Sequence, residues 1–248
     1  MENRLAELVF KDHANLHERL KIIASTIEEF VTGLPHDEPM RLAGDTRKAI
    51  DRCFCFNDIN SICAALEAEN SDWGRDTLAT LLERSPTSLK VTVRQMKLGE
   101  SWSIDMAFQR EAEIAAHFME HHDFVEGVTA KLLHKPPIPA QWQPATLDEV
   151  KSEDVEAYFR IPEGKQKLPL IIEGAEYMRY PHGWIGLPIE EDVRNVVEQS
   201  QMSQKQVVNH FVQKREGQVG VREKVEEIVA RMTEERDGTA TWIAVKRR

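Results

Sequence analysis

Ser85-Pro86-Thr87-Ser88-Leu89-Lys90-Val91-Thr92-Val93-Arg94-Gln95-Met96-Lys97-Leu98-Gly99 specifies a complete helix. Ser85 offers a capping oxygen, and Pro86 in the first turn removes a donor that would otherwise be orphaned. Leu89, Val93 and Met96 recur at spacings of four and three, which predicts one buried stripe. Gly99 then closes the segment. The same period extends upstream. Helices are predicted from about Asp45 to Phe54, Asn57 to Glu69 (Asn57 or Asp58 capping, with Ile59, Ile62, Cys63 and Leu66 inside) and Asp72 to Glu83. Earlier still, Leu16, Leu20, Ile23 and Ile27 make one apolar face, broken by Thr32-Gly33-Leu34-Pro35-His36-Asp37-Glu38-Pro39.

Downstream, a long helix is predicted from about Ser103 to His121, on Met106, Ile114 and Phe118. Asp123 then caps a short helix through Phe124, Val128, Leu132 and Leu133, stopped by Pro136-Pro137-Ile138-Pro139. An acidic helix follows from Leu147 to Phe159. In the tail, helices are predicted from Leu187-Pro188-Ile189 to Ser200, after a Ser203 cap (Val207, Val208, Phe211 and Val212 inside), and from Val219 to Met232. Leu168 to Ile172 is a short apolar run that reads as a strand, and almost no other strand signal occurs. The expected fold is mainly α.

The chain has 248 residues and a formal net charge of −10. That balance argues against a general nucleic-acid binder, which needs a basic face, and no DNA partner is expected. No window approaches eighteen uninterrupted apolar residues, so no membrane span is expected. Three cysteines are too few for a disulfide framework. Met1 to Leu8 has neither the apolar core of a secretory signal nor the acid-free basic character of a transit peptide. Charge is uneven. Residues 1–161 carry 18 basic and 28 acidic side chains, and residues 162–248 carry 14 of each. The shift coincides with Ile161-Pro162-Glu163-Gly164-Lys165-Gln166-Lys167-Leu168-Pro169, where two prolines and a glycine mark a boundary. Two segments are therefore expected, 1–161 and a helical extension 162–248.

Chemistry-bearing clusters are few. Cys53, Cys55 and Cys63 lack a fourth ligand, and residues two apart on a helix do not share a face, so buried free thiols are expected. His117 and His121 are four apart, hence on one face, with His122, Asp123, Glu113 and Glu120 beside them. A metal or acid–base site would use such a set. The zinc-protease pattern needs glutamate directly after the first histidine, where Phe118 stands, so a polar helix end is the expectation. Lys246-Arg247-Arg248 alone define no RNA or acidic partner. No phosphate loop, nucleophile elbow or G-x-G-x-x-G is found.

The block Ser85 to Gln95 resembles a stretch of the 3-hydroxyisobutyryl-CoA hydrolases, a branch of the crotonase (enoyl-CoA hydratase/isomerase) superfamily. His122-Asp123-Phe124-Val125-Glu126-Gly127-Val128, Gln141-Trp142-Gln143-Pro144, Val155-Glu156-Ala157-Tyr158-Phe159 and, upstream, Ile50-Asp51-Arg52-Cys53-Phe54 resemble the family in the same order, over about residues 45–160. The resemblance implies the helical carboxyl-terminal region of a crotonase-like fold plus a small helical tail unit. It implies a mitochondrial setting, hydrolysis of a β-hydroxyacyl-CoA thioester in valine catabolism, and CoA thioester as substrate with no separate cofactor. The family's catalytic half, an amino-terminal spiral whose backbone donors hold the thioester oxyanion, has no counterpart here. Gly33, Gly44 and Gly74 stand isolated. This chain alone is thus expected to be inactive, with no catalytic or metal residues. By position, Lys135 and Trp142 are the candidates for the adenine end of CoA. The implied partners are the missing amino-terminal crotonase half or further copies of the chain. The tail resembles an extension on fungal relatives, and some fungal mitochondrial ribosomes carry a hydrolase-like small-subunit component. A structural role on that ribosome is the alternative expectation. The aromatic stretch Tyr177 to Leu187 would serve as an interface if exposed.

Overall fold

The computed structural model describes residues 1–7, 15–34, 40–161, 164–170 and 176–243. It is mostly helical, in two compact units: Ala49–Tyr180, and Met1–Lys48 together with Pro181–Arg248. Composition and packing divide the chain differently. The composition break lies at 161/162, whereas the packing divisions fall after Lys48, inside helix α3 (Gly44–Cys53), and after Tyr180.

The Ala49–Tyr180 unit is built from capped helices. Asp58 Oδ1 accepts from the Ser61 amide at 2.8 Å and starts α4 (Ile59–Glu69). Asn70 in the left-handed region ends it, and Ser71 caps α5 (Asp72–Leu82). These two helices meet so closely that a Cβ on Gly74 would lie 2.9 Å from the Leu66 carbonyl. Next come α6 (Pro86–Gly99), capped by Ser85, and α7 (Ile104–Glu120), capped by Ser103. Then follow α8 (His122–Val128), a π-helical turn (Thr129–Leu133) and α9 (Ser152–Ala157).

Two clusters hold this unit. Cys53, Ile59, Ile62 and Leu66 pack with Trp73, Leu78, Leu89 and Val93, and Val91 packs with Ile114, Val150, Val155 and Tyr158. Helix α6 therefore serves both clusters, with Leu89 and Val93 in one and the fully buried Val91 in the other. That two-sided grip departs from the predicted single stripe and leaves Met96 69% exposed. The acidic helix is shorter than predicted, because Leu147 to Val150 turns before Lys151.

In the second unit, α1 (Glu2–Ala6) and α2 (Leu16–Glu28) accompany α10 (Glu190–Gln199), α11 (Gln204–Lys214), α12 (Val221–Met232) and a β1 (Thr233–Arg236)–β2 (Thr239–Trp242) hairpin. Val193, Val207, Val221, Val225 and Ile228 are wholly buried, each worth about 1.5–3 kcal/mol of apolar burial. The hairpin pairs Thr233 with Trp242 and is tied to the helices by the Ala240 amide donating to the Met202 carbonyl at 2.8 Å. It corrects the reading of this region as strand-free. The overlooked signal is Asp237-Gly238, both at positive φ, as a tight hairpin turn requires. Helix α2 leaves Leu16, Ile23 and Ile27 exposed, but its flank is anchored: His17 lies 4.2 Å from the Trp184 ring, and Glu28 Oε1 accepts from the Val219 amide at 2.7 Å.

Leu168–Leu170 is not a strand. The rest of that predicted strand, Pro35–Pro39 of the break, and Lys246–Arg248 lie outside the described residues. Among the described residues, no helix is long and apolar enough to cross a membrane.

Candidate functional site

Three of the sequence blocks singled out above meet at one carboxylate. Ser85, the cap of α6, donates its hydroxyl to Asp123 Oδ2 at 2.5 Å. The Gln143 amide donates to Asp123 Oδ1 at 2.9 Å, and His122 Nδ1 lies 3.2 Å from the same oxygen. Ser85 and Asp123 are both buried. The Ser85 oxygen also accepts from the Ser88 amide at 3.3 Å, so one hydroxyl caps the helix and joins it to α8. Sequence spacing predicts Asp123 as the cap of α8. Instead His121 takes that place, its Nδ1 accepting from the Asp123 amide at 3.2 Å. That frees the Asp123 carboxylate to reach across to Ser85.

Trp142 completes the junction. Its indole N–H donates to the Glu83 carbonyl at 3.1 Å, and its ring covers Gly127, where a Cβ would come within 3.1 Å. The neighbouring Gln141 amide donates to Glu126 at 2.6 Å. Trp142 is half-buried and Lys135 exposed; the structure brings them onto one connecting segment without contact between them among the described bonds.

Close by, Tyr158 is buried among the rings of Phe118, His117 and His121, and its hydroxyl has no hydrogen-bond partner among the described residues. Burial first, then the nearby Asp123 and Asp154 carboxylates, push its pKa up to about 12. His117 and His121 thus flank a phenol. Among the described residues no group of three or more His, Cys, Asp or Glu is placed to hold a metal ion. All three cysteines are free, with Cys53 buried, and burial raises the pKa of Cys53 and Cys63.

Chemically, the junction ties segments together. Every Asp123 contact is a donor delivered by the fold, and Ser85 donates to a carboxylate. Elsewhere in this unit a groove of about 260 Å³ is lined by Asn57, Asp58, Lys90, Arg94, Ser152 and Glu156. Its cations are already engaged: Lys90 donates to the Val150 carbonyl at 2.8 Å, and Arg94 pairs with Glu156 at 2.8 Å. An apolar surface also lies open on α8 and the π-helical turn, where Val125, Leu132 and Leu133 are 64%, 68% and 69% exposed.

The enoyl-CoA hydratase/isomerase family model matches residues 1–159, and the chain belongs to that family. Among known proteins it is similar to the small ribosomal subunit protein mS47 of Neurospora crassa, 44% identical over 96% of this chain and 49% of that protein. The mS47 of Schizosaccharomyces pombe is 32% identical over 73% of this chain and 43% of its own length. The mitochondrial 3-hydroxyisobutyryl-CoA hydrolase of Mus musculus is 32% identical over 58% of this chain and 40% of its own length. The chain therefore spans about half the length, or less, of the curated relatives it matches. The protein is homologous to both groups, and its localisation is mitochondrial.

Proposed function

We propose that this protein is the carboxyl-terminal part of a non-catalytic, mS47-like component of the mitochondrial small ribosomal subunit. One observation carries the reading: the extent of the likeness. A match over 96% of the chain necessarily takes in most of residues 162–248, whereas the mouse hydrolase match reaches 58%. The tail, with its own core of valines, lies mostly within the match to the Neurospora crassa protein. The junction at Asp123 supports the reading, because it gives the family segment a holding role that survives loss of chemistry. The test is co-sedimentation of the purified full chain with mitochondrial small ribosomal subunits. The chain should travel with the subunits and compete with the endogenous component. A chain that stays at the top of the gradient would refute the reading.

A second reading keeps the family activity: the carboxyl-terminal portion of a fungal-type 3-hydroxyisobutyryl-CoA hydrolase, active in valine catabolism only with an amino-terminal crotonase half. The open apolar surface at Val125, Leu132 and Leu133 supports it, because such a surface suits a packing partner. In this reading Lys135 and Trp142 meet the adenine end of CoA. CoA thioester turnover by the chain reunited with an amino-terminal half, weakened in KM by Lys135→Ala, would favour it over the ribosomal role.

A further inference from the structure

We propose that helix α7 carries a docking rail for an extended peptide segment, and that the chain's own residues 164–170 and 176–177 occupy it as a displaceable strap. The inference stands apart from both functional readings. The family match ends at residue 159, beside α7, where Arg110 Nη1 donates to the Phe159 carbonyl at 3.1 Å. The chain then runs back along the same helix. Lys165 meets Glu113 at 2.5 Å, Leu168 meets Gln109, and Glu176 and Tyr177 reach Ser103 and Ile104. Numbers rise along the strap as they fall along α7, so the two run in opposite directions.

Gln109 is the clamp. Its Oε1 accepts from the Leu168 amide at 2.7 Å, and its Nε2 donates to the Leu168 carbonyl at 2.8 Å. One side-chain amide thus meets both backbone groups of one residue, which is the exchange of bonds an antiparallel strand partner offers. Leu168, read from the sequence as the start of a strand, finds its strand-like partner in a side chain. Such a clamp reads backbone, so it accepts any residue with an N–H. The ends supply direction. Glu113, whose side chain is 16% exposed, takes the Lys165 ammonium. At the other end the buried Ser103 donates to Glu176 Oε1 at 2.8 Å. The Ile104 amide, an orphan donor of the first turn of α7, donates to the Tyr177 carbonyl at 3.0 Å. A carboxylate at this end also meets the positive pole of a 17-residue helix. The rail therefore fits an extended segment with a cation three residues before the clamped one and a carboxylate further on. Hydrogen bonds, more than burial, hold the strap: residues 164–169 are all exposed, Leu168 at 45%. Exposed bonds with few apolar contacts mark the low-stability end of a structure, where local opening takes little free energy. A segment of the same chemistry from another protein can then take the strap's place.

The test uses the full chain, hydrogen exchange, and a fluorescein-labelled peptide of residues 164–178 followed by anisotropy. In the parent the Leu168 amide should be protected although its side chain is exposed. Gln109→Ala should speed its exchange about five- to a hundredfold, the loss expected for two bonds of ordinary net strength. The combined variant Lys165→Ala, Glu176→Gln loosens the strap and leaves the rail intact. With an intramolecular competitor of about millimolar effective concentration weakened, it should bind the labelled peptide roughly fivefold more tightly than the parent does. Adding Gln109→Ala to that variant should abolish the gain. Circular dichroism checks that helicity is kept, the altered positions being exposed or half-buried. An unprotected Leu168 amide in the parent would refute the strap. A protected amide with no gain of peptide binding in the loosened variant would refute the docking rail and leave a fixed connection.

Discussion

Asp123→Ala should cost the Ala49–Tyr180 unit about 2–4 kcal/mol, because it strands donors the fold cannot redirect. The carboxylate accepts from the Ser85 hydroxyl at 2.5 Å and the Gln143 amide at 2.9 Å. The buried Ser85 hydroxyl left without an acceptor costs about 1–3 kcal/mol, and the amide of Gln143, an exposed residue, adds about 1 kcal/mol. His122 adds little, since its side chain is 46% exposed and turns to water. Losing the desolvated carboxylate offsets a small part of the penalty. Asp123→Asn keeps one carbonyl oxygen for the Gln143 amide and presents an NH₂ where Ser85 needs an acceptor, so about half the loss is expected. The assay is urea unfolding, with the Gln143 amide read by hydrogen exchange. With an m-value of about 1–3 kcal/mol/M, the Asp123→Ala midpoint should fall by roughly 1–2 M. Protection of the Gln143 amide should drop with it. A midpoint within roughly 0.3 M of the parent, with Gln143 still protected, would refute the claim that this carboxylate organises the unit.

Gly127→Ala should destabilise by about 1–2 kcal/mol despite alanine's better helix propensity. The new Cβ meets a Trp142 ring pinned through its indole N–H, and the loss should vanish in a Trp142→Phe background if that contact is the cause. Gly74→Ala, 2.9 Å from the Leu66 backbone oxygen, should cost a similar amount by thermal melting, with no relief from trimming side chains. Tyr158→Phe should be neutral or slightly stabilising near pH 7, since it removes an unpartnered buried hydroxyl. Burial holds the folded-state pKa of Tyr158 at about 12, above the ordinary tyrosine value of 10, so its contribution is fully present below pH 10 and is lost as pH rises through 12. Parent stability should therefore fall over that window more steeply than that of Tyr158→Phe. Arg231→Ala, which breaks a buried pair with Glu227, should cost about 3 kcal/mol in the tail unit's urea midpoint.

Helices were legible where capping and period agreed. Ser85, Asp58 and Ser203 all cap the helices that follow them. Burial was less legible. A single stripe was read into α6, yet two neighbours grip it, so Val91 went inside and Met96 out. Periodicity reports one face and is silent on how many partners a helix has. The hairpin was missed because Thr233-Glu234-Glu235-Arg236 is polar and weakly alternating, and only Asp237-Gly238 betrayed it. The junction could not be read at all as a site. Ser85, Asp123 and Gln143 are far apart in sequence, and each had a sufficient local explanation. The one available hint was that Ser85 and Asp123 both sit in resembling blocks and are both small polar residues at helix starts.

That last point bears on function. The residues by which the chain resembles the hydrolases are, where the structure shows them, residues that hold helices together. Ser85 caps and links, Asp123 receives, Gly127 admits the Trp142 ring, and Tyr158 fills the cluster around Val91. A protein that has given up thioester chemistry would keep all of them, because each answers to stability. Likeness in this segment therefore weighs equally for a hydrolase and for a scaffold derived from one. The discriminating weight falls on the tail, where likeness to mS47 continues and a separate core of Val193, Val207, Val221, Val225 and Ile228 sustains its own unit. If the tail is what the ribosome recognises, then deleting residues 187–248 should abolish co-sedimentation, whereas Asp123→Asn, which weakens the family segment, should leave it intact wherever the protein stays folded. The reverse pattern, with the tail dispensable and the junction required, would place the contact in the crotonase-derived part and overturn this assignment of roles.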